Sequence, residues 1–78
     1  MKETLEVVIK NLVENKEEVS IHELEGEKSV VFEVKVAESD MGKVIGKQGR
    51  VAKAIRTLMK SIAAKEQKRV TIEFIEEE

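Results

Sequence analysis

The sequence predicts an α+β domain, a three-stranded mixed sheet covered on one face by helices, with elements in the order α-β-β-α-α-β. Three observations lead there. Apolar residues recur with helical spacing near the start and again after residue 50, while the segments at 29–37 and 70–74 alternate apolar and polar residues, the period of a half-buried strand. The first two strands are joined by a short turn, which dictates antiparallel pairing. The second and third are separated by two helices, a crossover that favours parallel pairing and packs the helices against the sheet.

Each element has its own basis. Leu5, Val8, Ile9, Leu12 and Val13 fall at i, i+3, i+4, i+7 and i+8, the stripe of a helix over roughly residues 3–14, with Asn15 as its stop. Val19 to Glu25 suits a strand, although Leu24 breaks the alternation set by Val19 and Ile21 and suggests a bulge or an early end. Glu25-Gly26-Glu27-Lys28 is the turn of a hairpin. From Ser29 to Ala37 the pattern is clearest: Val30, Phe32, Val34 and Val36 share one face and Glu33 and Lys35 the other. Ser39 or Asp40 is placed to cap a short helix starting near Met41. Glycines at 46 and 49 interrupt it, and a longer helix follows over roughly 50–65, its buried stripe expected at Val51, Ile55, Leu58, Met59 and Ile62. Val70, Ile72 and Phe74 alternate with Thr71 and Glu73 in the last strand, and Glu76 to Glu78 form an acidic tail.

Length and composition narrow the functions available. At 78 residues the chain is one domain, with an N-terminal helix and strand (1–26), a β-α-α-β core (29–75) and the tail (76–78). A domain of this size buries only about 60–65% of its unfolded surface, which leaves no room for a large cavity beside a catalytic framework. There is no cysteine, so thiolate metal sites, thiol nucleophiles and disulfides are excluded. His22 is the single histidine, and no Ser/His/Asp set can be assembled; no catalytic residue, metal site or cofactor is expected. The start, MKETLEVVIK, lacks the apolar stretch of a signal peptide, and no run approaches the ~20 apolar residues of a membrane span, so a cytoplasmic protein without membrane contact is expected.

Charge is unevenly placed. The net charge is −2, yet Met41 to Lys65 carries Lys43, Lys47, Arg50, Lys53, Arg56, Lys60 and Lys65 and no acid. The other seven bases face all 16 acids, a balance of −9 for the remainder. One basic face on an otherwise anion-repelling body follows.

That stretch is punctuated by glycine. The spacing does not fit a nucleotide-hydrolase phosphate loop, because Gly42 to Gly46 is one residue short and Gln48 stands where a magnesium-binding hydroxyl belongs. It does not fit a dinucleotide fingerprint either, whose first two glycines are two apart. What remains is Ile45-Gly46-Lys47-Gln48-Gly49 between two helices. Such a link turns sharply and lets a sugar-phosphate backbone approach the main chain. The next helix presents its first N–H groups and positive dipole end, Lys47 adds a point charge and Arg50 a bidentate fork. Gly42 is compatible with close helix-strand packing or with close ligand approach.

Val44-Ile45-Gly46-Lys47-Gln48-Gly49-Arg50 resembles the V-I-G-x-x-G motif of the KH domain. The element order is similar to the type II KH fold, in which a helix and a strand precede the β-α-α-β core. "DMGKVIGKQGRVAKAIR" looks especially like the small stand-alone bacterial KH proteins of the KhpA type. The resemblance covers nearly the whole chain and implies single-stranded RNA held in a narrow groove, about four nucleotides at a time. Carried onto this sequence it makes Gly46, Lys47, Gln48 and Gly49 the backbone clamp. Val44, Ile45 and Val51 become apolar groove wall, Arg50 and Lys53 further phosphate contacts, and Lys43 the flank of the entry. Lys60 and Lys65 lie beyond the loop and suit a solvated face. Only Phe32 and Phe74 are aromatic, both at inward strand positions, so a reader that stacks bases on exposed rings is disfavoured.

The resemblance also implies company. Proteins of this kind self-associate and pair with a larger KH protein of the KhpB (Jag or EloR) type, as RNA-binding regulators or RNA chaperones connected with cell elongation and peptidoglycan homeostasis. A contrasting expectation is a protein-interaction adaptor with little RNA contact, since the acidic body repels polyanions.

Overall fold

The computed structural model describes residues 1–76, in which α1 (Lys2–Leu12), β1 (Ser20–Glu25), β2 (Ser29–Lys35), α2 (Met41–Ile45), α3 (Arg50–Lys65) and β3 (Arg69–Phe74) follow one another. Short 3-10 turns at Lys16–Glu18, Glu38–Asp40 and Lys47–Gly49 join them. Strand β2 is central, antiparallel to β1 and parallel to β3. The expected mixed sheet and element order are therefore present. Of the expected acidic tail, residues 77 and 78 lie outside the described residues.

The alternation of β2 decides which face is covered. Val30, Phe32 and Val34 are buried, with Val70 and Ile72 beside them on β3. Leu5 and Ile9 from α1, Val44 from α2, and Ile55, Met59 and Ala63 from α3 close over that face. Burying each large apolar side chain contributes about 1.5–3 kcal/mol, and close packing makes the cluster intolerant of lost volume.

Several boundaries and faces differ from expectation. The first helix ends at Leu12, because Val13 is extended (φ −101°, ψ 159°) and the next two amides are taken by a side chain described below. β1 shows no bulge; its ladder runs unbroken from Ser20 opposite Lys35 to Glu25 opposite Val30. Leu24 accordingly points to the uncovered face and is half exposed. β2 stops at Lys35, with Ala37 leading into the turn at Glu38–Asp40. On α3 the buried line is Ala52, Ile55, Met59 and Ala63, whereas Leu58 is 42% exposed. Two of those four are alanines, and Leu58 lies off their line.

α3 ends in a Schellman arrangement. Gln67 takes a left-handed conformation (φ 57°), its N–H donates to Ala64 O at 3.1 Å, and Lys68 N–H donates to Ala63 O at 3.0 Å. Arg69 N–H then donates to Lys28 O (2.9 Å), which sets β3 in parallel register beside β2.

Candidate functional site

The segment between α2 and α3 owes its shape to two glycines. At Gly46 (φ 76°, ψ 175°) the backbone adopts a conformation open essentially to glycine alone. A Cβ there would also meet Val51 Cγ2 at 2.4 Å and Val51 N at 2.9 Å. Gly49 (φ 72°, ψ 16°) is left-handed, but a Cβ there would meet nothing within 4 Å. Gln48 between them is also left-handed (φ 56°, ψ 26°). The chain is held by Gly46 N–H donating to Gly42 O (2.8 Å) and Gly49 N–H donating to Gly46 O (3.2 Å). No side chain caps the start of α3. Its first amide, Arg50 N–H, donates to Lys47 O, and the positive dipole end of the helix lies at the loop.

The side chains around this loop divide by exposure. Lys47, Gln48, Arg50 and Lys53 are exposed. Arg50 Nη2 donates to Gln48 Oε1 at 3.3 Å, which draws the two residues together at the helix start. Among the described residues, the ion pairs do not engage Lys47, Arg50 or Lys53, so their charge faces solvent uncompensated. Ile45, Gly46, Gly49 and Val51 are half-buried and form the apolar shoulder of the turn. The structure thus brings Ile45 to Arg50, Val51 and Lys53 into one surface. A Cβ at Gly42 would meet nothing within 4 Å, which removes close helix-strand packing as the reason for that glycine.

Two expected site residues stand elsewhere. Val44 is fully buried in the core cluster, so its side chain offers no wall to a ligand. Lys43 points back across the fold, its Nζ 2.9 Å from Glu14 Oε1 and 3.3 Å from Asp40 Oδ1. The hydrogen bond to Glu14, against desolvation and with help from Asp40, raises its pKa above the usual lysine value.

Asp40 explains both the early end of α1 and the placing of Lys43. Neither Ser39 nor Asp40 caps α2 with its side chain; the fully buried Asp40 carboxylate reaches the other way. It accepts from Asn15 N–H (3.0 Å), Asn15 Nδ2 (3.1 Å), Glu14 N–H (3.2 Å) and Lys43 Nζ (3.3 Å). The Asn15 backbone donor is the main cause of a pKa lowered to about 2, burial acting against it. This clamp fastens the end of α1 to the start of α2, and so fixes the helix that leads into the glycine turn.

Arg56 was not singled out by sequence. Its Nε and Nη2 both donate to Ile72 O on β3, at 3.3 and 3.2 Å, and its guanidinium lies 5.5 Å from the centroid of the Phe74 ring. The available signal was its spacing of three from Lys53, itself three from Arg50. His22 is exposed on β1, and among the described residues no group of three His, Asp or Glu side chains is placed to hold a metal ion. Nor, among them, is any helix long and apolar enough to cross a membrane.

Residues 2–74 match the family described as KhpA/KhpB, KH domain. The chain is similar to the RNA-binding protein KhpA of Clostridium acetobutylicum, with 57% identity over 75 residues, covering 96% of this chain and 100% of that one. Against the RNA-binding protein KhpA of Clostridium perfringens the identity is 55%, with the same coverage. The RNA-binding protein KhpA of Aquifex aeolicus is 49% identical over 76 residues, 97% of this chain and 96% of the relative. No solved structure matches the chain.

Proposed function

The chain belongs to the KhpA/KhpB KH-domain family, and from that premise we propose that it is a non-enzymatic protein that binds single-stranded RNA at the Gly46–Gly49 turn and the start of α3. The observation that carries this reading is the turn itself: two glycines at positive φ, beside exposed cations that, among the described residues, no carboxylate neutralises. The relatives' name, RNA-binding protein, points the same way.

Each residue then has a role. Main chain at Gly46, Lys47, Gln48 and Gly49 meets the sugar-phosphate backbone, and the missing Cβ of Gly49 leaves room for close approach. Lys47 supplies charge at the tip, Arg50 a fork for phosphate oxygens, and Lys53 extends the cationic track. Ile45 and Val51 form the apolar support on which bases rest, with Val44 beneath them as core and Lys43 as a structural brace. With two or three phosphates neutralised, log affinity falls with log salt at a slope of roughly −1.5 to −2 for single strands.

The test is the pair of substitutions Lys47→Asp and Gln48→Asp, with titration of a short single-stranded RNA at low salt and circular dichroism as the check on folding. Loss of binding by a folded variant is expected. Unchanged affinity refutes the role of the loop and favours the adaptor reading.

One module holding about four nucleotides binds weakly, and a second copy raises affinity by linkage. The resemblance supplies the candidates: a second copy of the chain and a KhpB-type KH protein. Action as an RNA chaperone or post-transcriptional regulator in the cytoplasm, with a link to cell elongation and peptidoglycan homeostasis, rests on the resemblance alone. Sedimentation across a concentration series and retention of a KhpB-type protein on the immobilised chain test these associations; a monomer throughout that retains nothing overturns them.

A further inference from the structure

α2 is five residues long, and it is the element that delivers the chain into the glycine turn. A helix this short does not hold itself together, because nucleation costs more than so few hydrogen bonds return. No side chain caps its start. Its orientation has to come from the rest of the fold. Val44, fully buried, and Met41 and Ile45, half-buried at the edge of the core, supply apolar contact. Such contact is non-directional and leaves a short helix free to slide and turn.

The directional tie is the Asp40 carboxylate, fully buried and immediately before Met41. Its Oδ1 accepts from Glu14 N–H and Lys43 Nζ, and its Oδ2 from Asn15 N–H and Asn15 Nδ2, all between 3.0 and 3.3 Å. Asn15 Nδ2 also reaches Ser39 Oγ at 3.4 Å. The far side of the tie is itself fixed, since Val13 is buried in the core and sets the direction in which Glu14 and Asn15 leave it. Donors from the segment after α1 and from α2 therefore meet on one carboxylate.

From Asp40 the constraint reaches the turn by a short route. Six residues at the helical rise separate Asp40 from Gly46, ~9 Å. Gly46 N–H donates to Gly42 O at 2.8 Å, so the end of α2 carries its orientation into Gly46. The turn's own bond, Gly49 N–H to Gly46 O, is at the long end of the normal range at 3.2 Å, so its aim depends on the helices beside it.

We propose that Asp40 is a positioning residue for RNA binding: by tying the segment after α1 to the start of α2, it holds the Gly46–Gly49 turn in the orientation that grips the sugar-phosphate backbone. Asp40 acts through α2 and does not touch the RNA. The proposal rests on the RNA-binding reading above and brings into it the N-terminal part of the chain. A turn already aimed binds at its intrinsic affinity; one that wanders binds more weakly in proportion to the fraction correctly aimed. Charge works in the opposite direction. Asp40 is an anion near the site, so on charge alone its removal would strengthen the binding of a polyanion. The positioning role requires weaker binding, and the sign separates the two.

The experiment titrates the intact chain and its Asp40→Asn and Asn15→Ala variants with a short single-stranded RNA at low salt, each checked for folding by circular dichroism. Asn15→Ala leaves the net charge unchanged and removes only the Nδ2 donor. Asp40→Asn is expected to bind roughly fivefold or more weakly and Asn15→Ala about twofold to threefold more weakly. Both keep the salt slope of the wild type, because the same phosphates are met. In nitrogen–proton correlation spectra the amides of residues 46 to 49 should shift or broaden in both variants while those of Val30 and Phe32 stay in place, a pattern that a uniform loss of stability does not produce. Unchanged or tighter binding by folded Asp40→Asn overturns the proposal and leaves the loop reading standing, as does weaker binding with unmoved signals at residues 46 to 49. Should Asp40→Asn not fold, Asn15→Ala decides by the same two criteria. A wild-type chain that binds no RNA at low salt overturns both.

Discussion

Replacing Gly46 by alanine tests how tightly the turn is determined, and its cost can be worked from two separate features. The first is conformational: φ 76° with ψ 175° lies in a region that side chains avoid, at roughly 1–3 kcal/mol for a residue forced into it. The second is steric: the new Cβ would sit 2.4 Å from Val51 Cγ2 and 2.9 Å from Val51 N. Overpacking of that kind costs about 1–3 kcal/mol after relaxation. The sum, about 2–6 kcal/mol, is a large share of the roughly 4–12 kcal/mol that holds a domain of this length together. Gly49→Ala is the control. There the left-handed conformation costs about 1–2 kcal/mol and nothing obstructs the Cβ. At roughly 4–8 °C per kcal/mol for a domain of this size, Gly46→Ala lowers the melting temperature by at least about 8 °C, and by more than Gly49→Ala does. Thermal and urea unfolding followed by circular dichroism measure both. Adding Val51→Ala removes the nearer atom, so the double variant Gly46→Ala/Val51→Ala loses less stability than the sum of its singles. If Gly46→Ala is no worse than Gly49→Ala, or the pair is additive, the account of the turn is wrong.

Two further outcomes follow from the charges. The Asp40 pKa is lowered from 3.8 to about 2 in the folded chain, so the stability it contributes is complete above the unfolded value and is lost as pH falls through that window. Urea unfolding from pH 5 downwards should therefore show a decline between about pH 4 and 2 that is shallower in Asp40→Asn; equal slopes would contradict the clamp. Lys43→Met, which removes a cation already held by Glu14 and Asp40, should leave the salt dependence of RNA binding unchanged, whereas Lys47→Met should flatten its slope by about 0.7. Equal flattening by both would return Lys43 to the binding surface.

Much of the fold was legible because its signals are local. The alternation of Val30, Phe32 and Val34 fixed both a strand and its buried face, and the ends of α3 were marked by Gly49 before it and a polar run after it. The glycine turn was legible for the same reason, since Gly46 and Gly49 occupy positions where φ is positive. What sequence did not disclose depends on partners far along the chain. Asp40 resembles a helix cap when only its neighbours are considered; its backbone donors are 25 and 26 residues away. Lys43 looked free for the same reason, its partner Glu14 belonging to the segment after α1. The stripe of α3 was chosen by apolarity, which admitted Leu58 and passed over Ala52 and Ala63, yet the two alanines are buried and Leu58 is not. Arg56 looked like one cation among seven until β3 placed a carbonyl beneath it.

The position of β2 between an antiparallel and a parallel neighbour has a consequence for synthesis on the ribosome. The chain can close the hairpin as soon as residue 35 is out, but the other side of its most apolar strand stays bare until Arg69–Phe74 emerges, more than thirty residues later. Throughout that interval the nascent protein carries an adhesive strand edge, and any fragment ending before residue 69 carries it permanently.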